Sequence, residues 1–177
     1  MSQIPVLQVQ DEFMQAAYEE AVAGYREGGI PIGAVLVHRG EIIGRGHNRR
    51  VQESNPILHG EMSCYRDAGR RAPNVYRESV LYTTQSPCAM CSGTTLLFGV
   101  PRIVIGESIT ARQVTNFFGT GLSIDAYLRS VGLDVIVYDD PACQELLERF
   151  MVEKPDVWAE DIGDAGGDAD PTSLRLT

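Results

Sequence analysis

The sequence lacks the long apolar runs of membrane proteins and the many cysteines of small secreted domains. No stretch approaches the ~18 uninterrupted apolar residues that a membrane helix needs. Residues 1–10 have neither a basic start nor a continuous apolar stretch, so we expect no export signal. The four cysteines are then expected to be thiols or metal ligands rather than disulfides. These features predict a cytoplasmic protein without membrane contacts.

Basic residues are also scarce, with 15 Lys and Arg against 24 Asp and Glu and a net charge of −9. Most of this excess lies between Asp134 and Asp170, where only Arg149 and Lys154 are basic. Binding to nucleic acid draws much of its affinity from the neutralisation of phosphates by Lys and Arg. The charge therefore argues against a nucleic-acid partner.

The length of 177 residues suits one compact domain. We predict an N-terminal extension over residues 1–10, a single domain over 11–163 and an acidic tail over 164–177. Apolar periodicity predicts helices over residues 11–28, 59–69, 87–99, 123–131 and 141–152, and strands over 32–38, 41–46, 79–84, 102–106 and 134–138. Residues 48–58 and 107–122 are predicted loops. An opening antiparallel hairpin followed by alternating helices and strands predicts a three-layer α/β/α domain with a mixed sheet.

Two short segments carry residues that bind metals, and each is predicted to lie at the beginning of a helix. The first contains His59 and Glu61, and the second contains Cys88 and Cys91. The positive end of a helix favours thiolates, and cysteines three positions apart lie on one helical face. One imidazole and two thiolates provide three zinc ligands and leave a fourth position for water, as in catalytic sites.

Glu61 gives this arrangement a chemical purpose. Zinc lowers the pKa of a bound water to about 7. A carboxylate beside the metal can accept the proton of that water and deliver it to a ring nitrogen, then to a departing amine. The pair of motifs H-x-E and P-C-x-x-C is the signature of zinc deaminases. We therefore expect one zinc ion per chain and a hydrolytic deamination.

Two other interpretations explain less of the sequence. A structural zinc site needs a fourth protein ligand, and neither Cys64, Cys143, His38 nor His47 stands at the usual spacing. A redox C-x-x-C motif leaves His59 and Glu61 without a role.

Seven short stretches, in order along the chain, indicate a family. They are residues 27–34 (EGGIPIGA), 44–48 (GRGHN), 59–61 (HGE), 81–84 (LYTT), 86–91 (SPCAMC), 104–107 (VIGE) and 158–163 (WAEDIG). Together they resemble the cytidine/deoxycytidylate deaminase superfamily, and within it most closely the fungal-type cytosine deaminases. The resemblance extends from about residue 11 to residue 163.

This resemblance implies a five-stranded mixed sheet, a homodimer, and hydrolysis of free cytosine to uracil in nucleobase salvage. It also implies a set of residues that contact the substrate. Asn48 and the backbone amide of Gly60 would bind the pyrimidine carbonyl, and Ser86 would contact the base mainly through its backbone. Asp161 would accept a hydrogen bond from the exocyclic amine, and Trp158 would help to cover the pocket.

The sequence departs from the family pattern in two places. The segment between Gly106 and Tyr127 is longer, and both Phe117 and Phe118 compete for the position of an aromatic residue that closes the pocket. The acidic tail after Gly163 also exceeds the family's usual end.

Because the longer segment borders the expected pocket, the sequence does not determine which heterocyclic base is deaminated. Guanine, isocytosine or an aminotriazine are alternatives to cytosine. A tRNA adenosine deaminase would share the zinc motifs, and a zinc-stabilised interaction domain would not need Glu61.

Overall fold

The computed structural model describes residues 3–110 and 120–161. Its strands are β1 (Gly33–His38), β2 (Glu41–His47), β3 (Ser79–Gln85), β4 (Arg102–Glu107) and β5 (Asp134–Val137). Its helices are α1 (Glu12–Arg26), α2 (Arg50–Glu53), α3 (Gly60–Ala68), α4 (Pro73–Arg77), α5 (Ala89–Phe98), α6 (Ile124–Ser130), α7 (Pro141–Glu153) and α8 (Pro155–Asp161). Phe117, Phe118 and the tail 164–177 lie outside the described residues.

The five strands form one mixed sheet in the order β2-β1-β3-β4-β5, which confirms the expected architecture. β1 pairs antiparallel with both β2 and β3, whereas β3, β4 and β5 are parallel. The hairpin turn uses Arg39 and Gly40, both with positive φ, as the favoured two-residue turns require.

Helices cover both faces of the sheet, and the alternation along β1 shows how. Ala34 and Leu36 belong to a core that includes residues of α3, α4 and α6. Val35 and Val37 belong to the opposite core, which includes residues of α1 and α7. Because successive side chains of a strand point to opposite faces, one apolar strand contributes to two cores. The expected three layers are therefore present.

The strand directions bring distant parts of the chain to one edge of the sheet. Gly33 at the beginning of β1 pairs with His47 at the end of β2, and Ala34 pairs with Thr83 near the end of β3. Because β4 runs parallel to β3, its end lies at the same edge. The segments that follow β2, β3 and β4 therefore start side by side.

Three short helices were not anticipated from the sequence. The predicted loop 48–58 contains α2, a single turn that ends at Ser54 in the left-handed conformation. α4 and α8 each begin with a proline at the first turn, which is compatible with a helix start. Each has at most seven residues, too few for an apolar periodicity to stand out.

The segment before α1, predicted as an N-terminal extension, lies against α7. Leu7 is buried in the core with α1 and α7. The backbone N–H groups of Gln8 and Val9 donate to Asp140 Oδ2 at 2.8 and 2.7 Å, while Asp140 Oδ1 caps α7. Within the described ranges, no helix is both long and apolar enough to cross a bilayer.

A buried histidine joins α1 to the end of β2. His47 Nδ1 lies 3.0 Å from Glu20 Oε2, and its Nε2 lies 3.2 Å from Glu27 Oε2. The hydrogen bond with Glu20 raises the pKa of His47 and Glu27 adds to this, although burial opposes it. When it is protonated, the imidazole can donate from both nitrogens and so connect the two carboxylates.

We expect His47→Gln to destabilise the fold more at pH 6 than at pH 9. The raised folded-state pKa means that the contribution of His47 is complete below its unfolded value and is lost as the pH rises through the folded value. Hydrogen bonds to charged groups are worth about 2 kcal/mol, which sets the expected loss at pH 6. Urea unfolding of both proteins at the two pH values measures the difference.

His38→Gln is the matched control, because the His38 imidazole lies 3.4 Å from the carboxylate of the partly exposed Glu78. It should cost less than His47→Gln at pH 6. A destabilisation by His47→Gln that is equal at both pH values would contradict the assigned charge.

Candidate active site

The predicted metal ligands come together at the sheet edge where β2, β3 and β4 end. One donor atom from each of His59, Cys88 and Cys91 lies within 4.8 Å of the other two. His59 is the residue before α3, and Cys88 is the residue before α5. The two helix N-termini therefore face a common point, as the motif spacing predicted.

The spacing and chemistry of these donors fit a zinc ion. Zn–S bonds of about 2.3 Å and Zn–N bonds of about 2.0 Å at a tetrahedral angle place the two ligand atoms about 3.5 Å apart. Cys88 Sγ lies 3.5 Å from His59 Nδ1. The set of one imidazole and two thiols is also typical of catalytic zinc sites that keep an open position. His59, Cys88 and Cys91 would hold the ion.

Cys88 is already acidic in this setting. Hydrogen bonds with the Cys91 thiol and with His59 together lower the pKa of Cys88 to about 4, although burial acts in the opposite direction. The N-terminus of α5 also favours a negative charge at this position. Both effects favour the thiolate form, which is the form that binds zinc.

A glycine allows α3 to begin where it does. A Cβ atom on Gly60 would lie 2.6 Å from the backbone oxygen of Ile32, a contact that real side chains do not make. With glycine, the first turn of α3 packs directly against the residue before β1. This close approach places His59 and the backbone of Gly60 at the sheet edge.

Glu61 lies beside the three donors without being one of them. Its side chain is buried in the first turn of α3 and is within hydrogen-bond reach of the Cys91 thiol. Burial raises the pKa of Glu61, and the negative charge of Cys88 raises it further. The position suits a carboxylate that exchanges protons with groups bound at the open side of the metal.

Asn48 is fully buried and has an unused hydrogen-bond donor. Its backbone N–H donates to Ile32 O at 2.8 Å, and its Oδ1 accepts from the N–H of Arg50 at 3.0 Å. Its Nδ2 atom has no partner in the part of the chain that the structure describes. A buried amide without a partner is costly, so this donor suits a ligand with a carbonyl group.

Ser86 lies where β3 leads into α5. It is buried, and its N–H donates to the backbone oxygen of Glu107 at 3.0 Å. Glu107 is also buried, and it accepts hydrogen bonds from the N–H and hydroxyl of Thr110. Burial raises the pKa of Glu107. These contacts fix the ends of β3 and β4 beside the metal ligands.

α8 brings the last predicted residues to the site. Trp158 packs with Ile30 and Phe150 in a small separate core. The Asp161 carboxylate forms an ion pair with Arg50, and its Oδ1 lies 3.9 Å from His59 Nε2. Asp161 is therefore on the opposite side of the His59 ring from Cys88.

Arg50 is a contributor that the sequence did not reveal. It lies two residues after Asn48, in a stretch predicted as loop. Arg49 is next to it, and the sequence alone does not distinguish the two arginines. Only the pairing of Arg50 with Asp161 would have indicated its role, and that pairing becomes visible once residues 155–161 are known to form α8.

Comparison with known proteins agrees with this geometry. Residues 7–107 match the family described as the cytidine and deoxycytidylate deaminase zinc-binding region. A cytosine deaminase of Candida albicans is 41% identical over 152 residues, which cover 85% of this chain and 95% of that protein.

Two further similarities are less complete. A tRNA-specific adenosine deaminase of Streptococcus pyogenes is 41% identical over 104 residues, which cover 58% of this chain and 65% of that protein, just under two thirds. A solved guanine deaminase from Nitrosomonas europaea has a TM-score of 0.63 at 23% identity, covering 84% of this chain and 87% of that one. At that identity it supports the fold alone.

We expect Cys91→Ser to lower the zinc content well below one ion per chain. A serine hydroxyl is a poor zinc ligand at neutral pH, whereas a thiolate is a strong one. Elemental analysis of protein purified and dialysed in parallel with wild type measures the change. Cys64→Ser is the control, because Cys64 is a buried thiol that donates to Gly44 O at 3.3 Å and lies outside the donor set. Full zinc occupancy in Cys91→Ser would contradict the ligand assignment.

Proposed function

The chain belongs to the cytidine and deoxycytidylate deaminase family, and from this premise we propose that it hydrolyses free cytosine to uracil and ammonia. The observation that carries the proposal is the buried Asn48 amide, whose Nδ2 has no partner among residues 3–110 and 120–161. Together with Glu61 it offers one donor for a ring carbonyl and one proton carrier for a ring nitrogen. Cytosine presents these two groups next to each other.

The reaction exchanges an amino group for a carbonyl oxygen. When zinc is bound, it lowers the pKa of water and so supplies the nucleophile at neutral pH. Glu61 takes the proton of the water and passes it to the ring nitrogen beside the amine-bearing carbon. It then carries a second proton from the added oxygen to the amine, which leaves as ammonia.

Residues from three parts of the chain orient the base. Asn48 donates to the pyrimidine carbonyl, and the N–H of Gly60 in the first turn of α3 has no intrahelical acceptor and can donate as well. Asp161 accepts from the exocyclic amine, and Ser86 lines the base through its backbone. Trp158 helps to exclude water above it, and Phe117 or Phe118 would complete the cover.

Two observations favour a free pyrimidine over a nucleic acid. The similarity to a cytosine deaminase covers 85% of this chain, against 58% for the tRNA-specific enzyme. The net charge of −9 also removes the general attraction to phosphates that a tRNA substrate would use.

We expect the zinc-loaded protein to release ammonia from cytosine faster than from cytidine, adenine, guanine, isocytosine or an aminotriazine. The matched control is Glu61→Gln, which keeps the shape of the side chain but cannot accept the proton. It should retain zinc and lose about 10³-fold in kcat, within the usual range for general acid–base groups. Preference for another ring, or for adenosine in tRNA, would overturn the cytosine assignment, and activity in Glu61→Gln would overturn the mechanism.

We also propose that two copies of the chain associate through the exposed side of α5. A groove of about 820 Å³ runs between α3, α4 and α5, lined by Met62, Tyr65, Tyr76, Leu97 and Phe98 with arginines around it. Within this lining, the rings of Tyr76 and Phe98 stack with their centroids 4.8 Å apart. An apolar centre with a polar rim is the usual composition of an interface.

We expect Leu97→Glu to convert a dimer into monomers. Leu97 is 80% exposed, and a second copy would bury it, so a carboxylate there would have to be desolvated. Val152→Glu is the matched control, because Val152 on α7 is 82% exposed and lies outside this groove. Sedimentation velocity measures the mass of each. A wild-type monomer, or a Leu97→Glu dimer as stable as wild type, would contradict the interface.

A further inference from the structure

An ion pair joins the first residue of α2 to the last residue of α8. The Arg50 guanidinium pairs with the Asp161 carboxylate, and their side chains are only 14% and 7% exposed. Arg50 Nη2 also lies 3.9 Å from Glu160 Oε1, although Glu160 itself is mostly exposed. A pair this sheltered from water interacts more strongly than a surface pair, and removing one partner leaves a buried charge.

The packing around α8 makes the position of this helix depend on the ion pair. A cavity of about 460 Å³ separates α8 from α2 and the loop after it, between Val157 on one side and Val51 and Pro56 on the other. On this side α8 is therefore not held by continuous apolar contacts. The ion pair crosses from one helix to the other beside that gap.

Arg50 also contacts Asn48 by a separate route. Its backbone N–H donates to Asn48 Oδ1, which leaves the Nδ2 donors of Asn48 for the substrate. This contact does not depend on the Arg50 side chain. A change of the side chain alone should disturb Asp161 and leave Asn48 in place.

We propose that Arg50 is a positioning residue that holds Asp161, and with it α8, at the side of the site where the exocyclic amine of the substrate binds. The proposal rests on the function proposed above. Arg50 does not touch the reacting atoms and acts through Asp161. The Nη1 group of Arg50 donates to Asp161 Oδ1, and this charged contact holds the carboxylate in place.

Loss of the Arg50 charge can be accommodated by a local movement of α8. α8 has only seven residues and is connected to α7 through Lys154. Releasing α8 exposes Asp161 to water without opening either of the two large cores. We therefore expect the helix to detach rather than the protein to unfold, and the substrate amine to lose its acceptor.

The test is a double-mutant cycle of Arg50→Gln and Asp161→Asn in the zinc-loaded, full-length protein. If Arg50 acts through Asp161, each single variant lowers kcat/KM for cytosine by about 100-fold, a typical cost of misplacing an orienting group. The double variant should then be no worse than Asp161→Asn alone, because the two changes remove the same interaction. Arg50→Lys should recover about tenfold of the loss, since it restores the charge but not the planar shape of the guanidinium.

Arg49→Gln is the matched control on the same turn. Its guanidinium pairs with Glu53 and with Glu27 across 3.5 Å, away from Asp161. It should leave kcat/KM within about twofold of wild type, as expected for a partly exposed pair. Zinc content and urea unfolding verify that every variant is loaded and folded.

The single tryptophan supplies a readout independent of turnover. Trp158 lies on α8 and packs against Ile30 and Phe150. Arg50→Gln should shift its emission to longer wavelength and increase its quenching by acrylamide. Arg50→Lys should show a smaller shift, and Arg49→Gln none.

The kinetic and fluorescence results distinguish a positioning role of Arg50 from a merely structural one. Additive losses in the cycle, or a wild-type rate and emission in Arg50→Gln, would overturn the positioning role. If Arg50→Gln fails to fold, the comparison of Arg50→Lys with Arg49→Lys replaces it, and equal kinetics in those two would overturn the role. A wild-type protein that ignores cytosine but deaminates another base would refute the proposed substrate only, because the cycle can be repeated on that base.

Discussion

The molecule depends on the meeting of two helix N-termini at one edge of the sheet. α3 and α5 both begin there, and the residues just before them, His59 and Cys88, point donor atoms to the same place. The meeting is possible because β1 runs antiparallel to β3, so that the beginning of one strand adjoins the end of the other. Gly60 then allows α3 to approach the chain before β1 to contact distance.

This edge also determines which other residues can reach the site. Asn48 follows β2, Ser86 follows β3, and Glu107 ends β4, so each is delivered by the strand before it. β3 and β4 are central strands and β2 is an edge strand that pairs along its length with β1, and the segments that follow β2 and β3 carry the chemistry. α8 is the exception, because it reaches the site from the end of the chain and is held mainly by a small apolar core and an ion pair.

Much of this could be predicted from the sequence because the signals were local. The spacing of His59, Glu61, Cys88 and Cys91 gave the metal site, and apolar periodicity gave five strands and the longer helices within a residue or two. The role of Arg50 could not be predicted, because its partner Asp161 is 111 positions away and no local pattern links the two residues. The short helices escaped because one or two turns contain too few residues to display a period.

The positions of the site residues along the chain carry a consequence for how the protein matures. All three zinc ligands lie within the first 91 residues, whereas Asp161 is among the last residues that the structure describes. A chain emerging from the ribosome therefore exposes its metal-binding segments long before Asp161, the residue proposed to bind the amine. With the proposed role of Asp161, the segments that bind the metal are synthesised first and the residue that would select the substrate is synthesised last.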